Sequence, residues 1–180
     1  MDEVGLPAAE QKMVHEKYLA IRYDFLIGFE SETVTGGYDA LYSGDMAWPV
    51  PDCHSVSSPY GIRIHPVTGQ RKMHYGIDIP AREGAQVKAP ADGKVMSYTW
   101  SDACGWTMVV DHGKNERGQR ITTRYLHLSA KVAGAGETVK AGDVIAKVGN
   151  TGYYTTGPHL HFEVYIDGVT VDPAGFFQAR

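Results

Sequence analysis

The second half of the chain is written in short runs that mix β-branched and aromatic residues with polar ones. Residues 94–100, 107–111, 121–126, 144–148 and 160–166 are rich in Val, Ile, Thr, Tyr, Phe and Trp. Turn pairs such as Asp92-Gly93 and Asp167-Gly168 separate such runs. This is strand patterning, and it predicts a mainly β, antiparallel domain: a β-sandwich or a partly open barrel. The first part reads differently. Met13, Val14, Tyr18, Ile21, Phe25 and Leu26 recur at roughly helical period, so residues 8–26 are expected to form a helix. Residues 31–45 are polar and glycine-rich, with Thr35-Gly36-Gly37 and Ser43-Gly44-Asp45, and read as a linker. Trp48-Pro49-Val50-Pro51 opens the domain. The expected organisation is therefore a helical extension and linker over 1–46, acting as a dispensable anchor or an inhibitory cover, and a β domain over 47–180.

Composition narrows the class. A chain of 180 residues has room for one sizeable domain and an extension. Its 43% hydrophobic content and 21 glycines describe a loop-rich globular protein. No apolar run approaches the roughly 20 residues needed to span a bilayer, so no transmembrane segment is expected. Residues 1–20 carry charges throughout, which leaves no export signal in this chain. The net charge of −4 hides an asymmetry: nine acids and three bases fall in 1–46, against twelve acids and fourteen bases in 47–180. Lys and Arg are dispersed, so no nucleic-acid partner is expected. Oligomeric state is not legible.

The candidate chemistry is imidazole chemistry. His159-Leu160-His161 precedes Phe162-Glu163-Val164, and in a strand the two histidines share a face about 7 Å apart. His74-x-Gly76-x-Asp78 would do the same if extended, with Gly76 leaving room for an ion and Pro80 ending the strand. His127 lies between them in Tyr125-Leu126-His127-Leu128. Each element has an ordinary structural reading: a histidine pair on a strand, or a hydrogen-bonded His–Asp pair. Together they supply five candidates, too many for one catalytic tetrahedron of three protein ligands and an open position. The surplus histidines suit acid–base work on a metal-activated water. The helical His-Glu-x-x-His signature is absent. The remaining histidines, His15, His54, His65 and His112, are read as surface, loop or strand-end residues.

These motifs, with Ser58-Pro59-Tyr60-Gly61-Ile62-Arg63-Ile64-His65-Pro66, Val87-Lys88-Ala89-Pro90-Ala91-Asp92-Gly93-Lys94-Val95 and the glycine-bounded run Gly142 to Gly152, occur in an order that resembles the lysostaphin-like zinc-dependent peptidoglycan endopeptidases. The resemblance implies that His74, Asp78 and His161 bind one Zn2+. It implies that His127 and His159 are catalytic, one as base and one as oxyanion donor, in either order. It implies bacterial peptidoglycan peptides as partner and substrate, cut in the stem or the cross-bridge. An extracellular or cell-envelope location follows. Two departures from the pattern stand out. The loop 152–157 is one residue longer than usual, and no tyrosine precedes His74 between Thr68 and Met73. Glu163 is placed on the face of His161, as its hydrogen-bond partner or as a solvent-facing carboxylate.

In an exported domain the two cysteines, Cys53 and Cys104, are candidates for a disulfide. Two other classes compete. Biotinyl and lipoyl carriers share the Gly-Asp turns but need a lysine on an exposed tight turn, and Lys94 follows its turn inside a strand run. A catalytically silent wall-binding or activator module of the same fold would normally lack a ligand, whereas this chain keeps all five candidates.

Overall fold

The computed structural model describes residues 32–64 and 69–177. The expected helix over 8–26, with His15, lies outside the described residues, as does His65. Thirteen strands follow in order: β1 Glu32–Thr33, β2 Gly61–Ile64, β3 Arg71–His74, β4 Ile77–Pro80, β5 Gln86–Lys88, β6 Gly93–Ser101, β7 Gly105–Lys114, β8 Arg120–Leu128, β9 Ala130–Lys131, β10 Thr138–Val139, β11 Val144–Lys147, β12 His159–Ile166 and β13 Val169–Val171. All named strands pair antiparallel. An open sheet runs β1-β6-β7-β8-β12-β13, with β10 added at β6 and β4 at β12. A second sheet runs β5-β11-β9, and β2-β3 is a separate hairpin. The mainly β, antiparallel expectation holds, and the five strands read from the sequence form the long strands of both sheets.

One core joins the two main sheets. Val87, Ile145 and Ala146 of the small sheet are buried with Val95, Met108, Val110, Tyr125, Leu160, Phe162 and Val164 of the large one. Phe162 and Tyr125 face each other across β12 and β8, with ring centroids 5.4 Å apart.

The glycine-rich stretch read as a linker is bonded to this body. β1 pairs with β6, the Tyr38 amide donates to Asp111, and Leu41 bridges Lys114. Tyr42 and Met46 are buried in the core. Arg120 holds the buried Asp111 carboxylate beside Gly37, where a Cβ would collide with both side chains. The charge shift near residue 46 therefore does not mark the edge of packing. A truncation starting at Ala47 is expected to lower the thermal midpoint sharply, because it strips two buried side chains, each worth about 2–5 kcal/mol. A truncation starting at Glu32 provides the comparison. Thermal unfolding of both proteins decides the point; equal midpoints would show that 32–46 is only draped on the surface.

His112, read as a strand end, is inside β7 and 1% exposed. Its Nδ1–H donates to the Asp92 carbonyl, and its Nε2 lies 2.8 Å from Thr123 Oγ1, which in turn lies 2.8 Å from the Tyr125 hydroxyl. Burial pushes its pKa below the ordinary 6.5, against the opposing pull of the Asp92 carbonyl and Asp111. The folded state thus favours neutral His112. Its contribution is complete above the unfolded pKa and is lost as pH falls from about 6.5 toward the lower folded value. Urea midpoints between pH 5 and 8 should fall on acidification, and the slope should flatten in His112→Asn. An unchanged slope would remove His112 from the account.

Candidate metal centre

β4 pairs with β12 so that Asp78 lies opposite His161. His74 reaches the same point from the end of β3, whose partner is β2. The chain is therefore not one extended strand from 74 to 78. It breaks at Tyr75-Gly76, and the ligand side chains converge because two strands meet there. Gly76 does not make room for an ion, as its spacing suggests; it lets β12 pass, since a Cβ would collide with the Phe162 carbonyl.

Three donor atoms form a tight triangle. His74 Nε2 is 3.1 Å from Asp78 Oδ1 and 3.0 Å from His161 Nδ1, and His161 Nδ1 is 2.8 Å from Asp78 Oδ1. Tetrahedral ligands about 2.0–2.1 Å from zinc stand about 3.3 Å apart, so a zinc-sized ion fits above this triangle with small outward shifts. Among the described residues this is the group of three metal-type donors that comes together.

The hydrogen bonds behind the rings decide which nitrogens are bare. His74 Nδ1–H donates to the Pro59 carbonyl at 2.7 Å, leaving Nε2 with its lone pair. His161 Nε2–H donates to Glu163 Oε1 at 3.1 Å, leaving Nδ1 bare. His127 Nδ1–H donates to the Thr151 carbonyl and His159 Nδ1–H to the Gly157 carbonyl, both at 2.8 Å. Their Nε2 atoms are free for chemistry. All four rings line one open cavity. His127 and His159 stand 4.8 Å apart between centroids, and His159 Nε2 is 3.7 Å from Asp78 Oδ1.

His127 owes its direction to a β-bulge. Between Trp106↔Leu128 and Met108↔Tyr125, β8 carries one residue more than β7. His127 takes φ +61, a left-handed conformation uncommon outside glycine. Simple alternation would point it into the core with Tyr125; the bulge turns it into the cavity.

Glu163 is fully buried and faces Arg124 across the sheet. Its Oε2 accepts from Arg124 Nη1 at 3.0 Å and from the Tyr165 hydroxyl at 2.5 Å. The solvent-facing alternative for Glu163 is thus excluded, and its second oxygen is held on His161. Burial pushes the Asp78 carboxyl up, but the adjoining His161 and His74 rings outweigh it and hold the group well below the usual carboxylate range. Burial, reinforced by His161 and His159, pushes His127 down to about 4, so it is neutral at pH 7 and able to accept a proton.

The five residues expected from the sequence are all brought together. The sequence reading did not single out Arg63, whose Nη2 is 3.2 Å from Asp78 Oδ2, or Arg124. Their only sequence signal was a strand register, which is a tertiary property. The two cysteines are corrected: both are free. Cys104 lines the metal cavity, whereas Cys53 lies beside Pro80 and Arg82 at a separate surface depression and contacts Ser55. A disulfide needs Cα atoms within about 7 Å.

Two histidines and one carboxylate, open on one side and flanked by two further histidines, are the donor arrangement of a hydrolytic metal site. The chain belongs to peptidase family M23, whose profile matches residues 72–173. It is 37% identical over 123 residues to the peptidoglycan DD-endopeptidase ShyC of Vibrio cholerae, covering 68% of this chain and 27% of that protein. A zinc-containing peptidase from Vibrio cholerae superposes with a TM-score of 0.64 at 34% identity, over 79% of this chain and 41% of the other. The catalytic domain of lysostaphin from Staphylococcus simulans superposes with a TM-score of 0.58 at 32% identity, over 68% of this chain and 90% of the other. The chain spans about a quarter to a third of the length of the curated relatives it matches.

Proposed function

We propose that this chain is a zinc-dependent endopeptidase that hydrolyses peptide bonds in the stem or cross-bridge peptides of bacterial peptidoglycan, acting in the cell envelope. The observation that carries the reading is the convergence of four bare imidazole nitrogens and Asp78 on one open cavity. The names of ShyC and of the zinc-containing Vibrio peptidase support the substrate and the metal, respectively.

In this reading His74, Asp78 and His161 hold the zinc. Bound there, zinc supplies Lewis-acid activation of water and of the scissile carbonyl. His127 and His159 do the proton work through Nε2. One takes a proton from the attacking water and passes it to the leaving amine. The other can donate a hydrogen bond to the oxygen on which charge develops only as an imidazolium, with Nε2 protonated as well as Nδ1. The carbonyls of Thr151 and Gly157 fix both rings, so the bare nitrogen need not be selected again in each turnover.

Purified peptidoglycan digested with zinc-loaded protein should yield muropeptides with new amine and carboxyl termini by mass spectrometry. A chelator should stop the reaction and added zinc restore it. Zinc binding without new termini would instead identify a silent wall-binding or activator module.

A further inference from the structure

The β2–β3 hairpin forms one wall of the metal cavity, and its register decides what it presents. Gly61 pairs with His74 and Arg63 with Lys72, so Arg63, Lys72 and His74 share one face. Both cations line the cavity. Ile62 and Ile64 occupy the other face and are 65% and 64% exposed. The hairpin thus presents Arg63 and Lys72 to the cavity, while Ile62 and Ile64 share the other face with Arg71 and Met73.

Like charges directly opposite each other on a strand pair are destabilising. Only Arg63 has an anionic partner here, and it spends Nη2 on Asp78 Oδ2. Among the described residues no carboxylate pairs with Lys72. The two carboxylates lining the cavity are both engaged: Asp78 with His74, His161 and Arg63, and Glu163 with His161, Arg124 and Tyr165. Ala103, Tyr154 and Thr156, which also line the cavity, contribute no cation. The cavity therefore has positive side-chain charge on one side of the metal donors, with guanidinium and ammonium donors available to a ligand.

We propose that Arg63 and Lys72 form a carboxylate-binding subsite that selects peptides with a free carboxylate on the residue at the amine side of the scissile bond. This rests on the peptidase reading above. The guanidinium contacts the carboxylate whose other oxygen is a metal donor, so it stands roughly 5 Å from the metal position, about one residue along a peptide. The carbonyl-side residue has used its carboxyl in the bond being cut. A free carboxylate next to that bond therefore belongs to the amine-side residue, where that residue ends a chain or is joined through a side-chain amine. Arg offers a planar fork to it and Lys a point charge.

The test uses two synthetic stem-type peptides, identical except that the amine-side residue ends in carboxylate or carboxamide. Binding by calorimetry and kcat/KM are measured with zinc-loaded wild type, Lys72→Met and Arg63→Gln, and zinc content is checked because Arg63 touches Asp78. Wild type should prefer the carboxylate at least about tenfold in both readouts. Lys72→Met, which touches no metal donor, should bring the preference to within about threefold while retaining zinc. Equal binding of the two peptides by wild type, or an undiminished preference in both variants, overturns the subsite. If neither peptide is cut, the peptidase reading fails, while the binding arm still decides the subsite.

Discussion

Replacing His74 or Asp78 with alanine is expected to leave the protein folded and without zinc. Each supplies one corner of the three-atom triangle, and His159, whose Nε2 lies 3.7 Å from Asp78 Oδ1, stands outside it. Loss of a ligand should exceed the roughly 10–100-fold weakening that follows loss of an outer hydrogen-bond partner. Glu163→Gln provides that comparison, since it removes the buried charge on His161 while keeping an oxygen that can accept from Nε2–H. Metal analysis after dialysis against a graded chelator would rank the three variants. Full occupancy in His74→Ala or Asp78→Ala would show the ligand assignment to be wrong.

His127→Ala and His159→Ala are expected to keep zinc and lose about 10²–10⁴-fold in rate, the usual contribution of a positioned acid or base. The separation from the first pair of variants is the informative part. His127 is neutral and strained, and its Nδ1–H is held by the Thr151 carbonyl rather than by any of the three donor residues. Rate and bound zinc should be measured on the same preparations. If either variant loses its metal, that histidine belongs among the ligands.

The long strands were legible because β-branched and aromatic runs with flanking turns carry a local signal, and β6, β7, β8, β11 and β12 fall where those runs are. The short strands were not. β5, β9 and β10 have two or three residues each, too few for a period to register, and they exist only because a neighbour completes their hydrogen bonds. The segment 32–46 misled for a related reason. Its composition is that of a loop, yet Tyr42 and Met46 are core residues and Asp111, far along the chain, binds its backbone.

Sequence alone determined the residue types of the site and their pairing within motifs. A His-x-His in a strand puts two imidazoles on one face whatever surrounds it, because side-chain direction in a strand has period two. What it could not determine was anything that depends on breaking that period. The bulge at His127 reverses the side on which its ring emerges, and the break at Gly76 sends His74 and Asp78 to the metal position from different strands. The bare nitrogen on each ring was likewise settled by carbonyls and carboxylates brought from elsewhere: Pro59, Thr151 and Gly157 on the loops and Glu163, itself fixed by Arg124, on the sheet. Proton positions follow hydrogen-bond partners, and those partners are set by the fold rather than by neighbours in sequence.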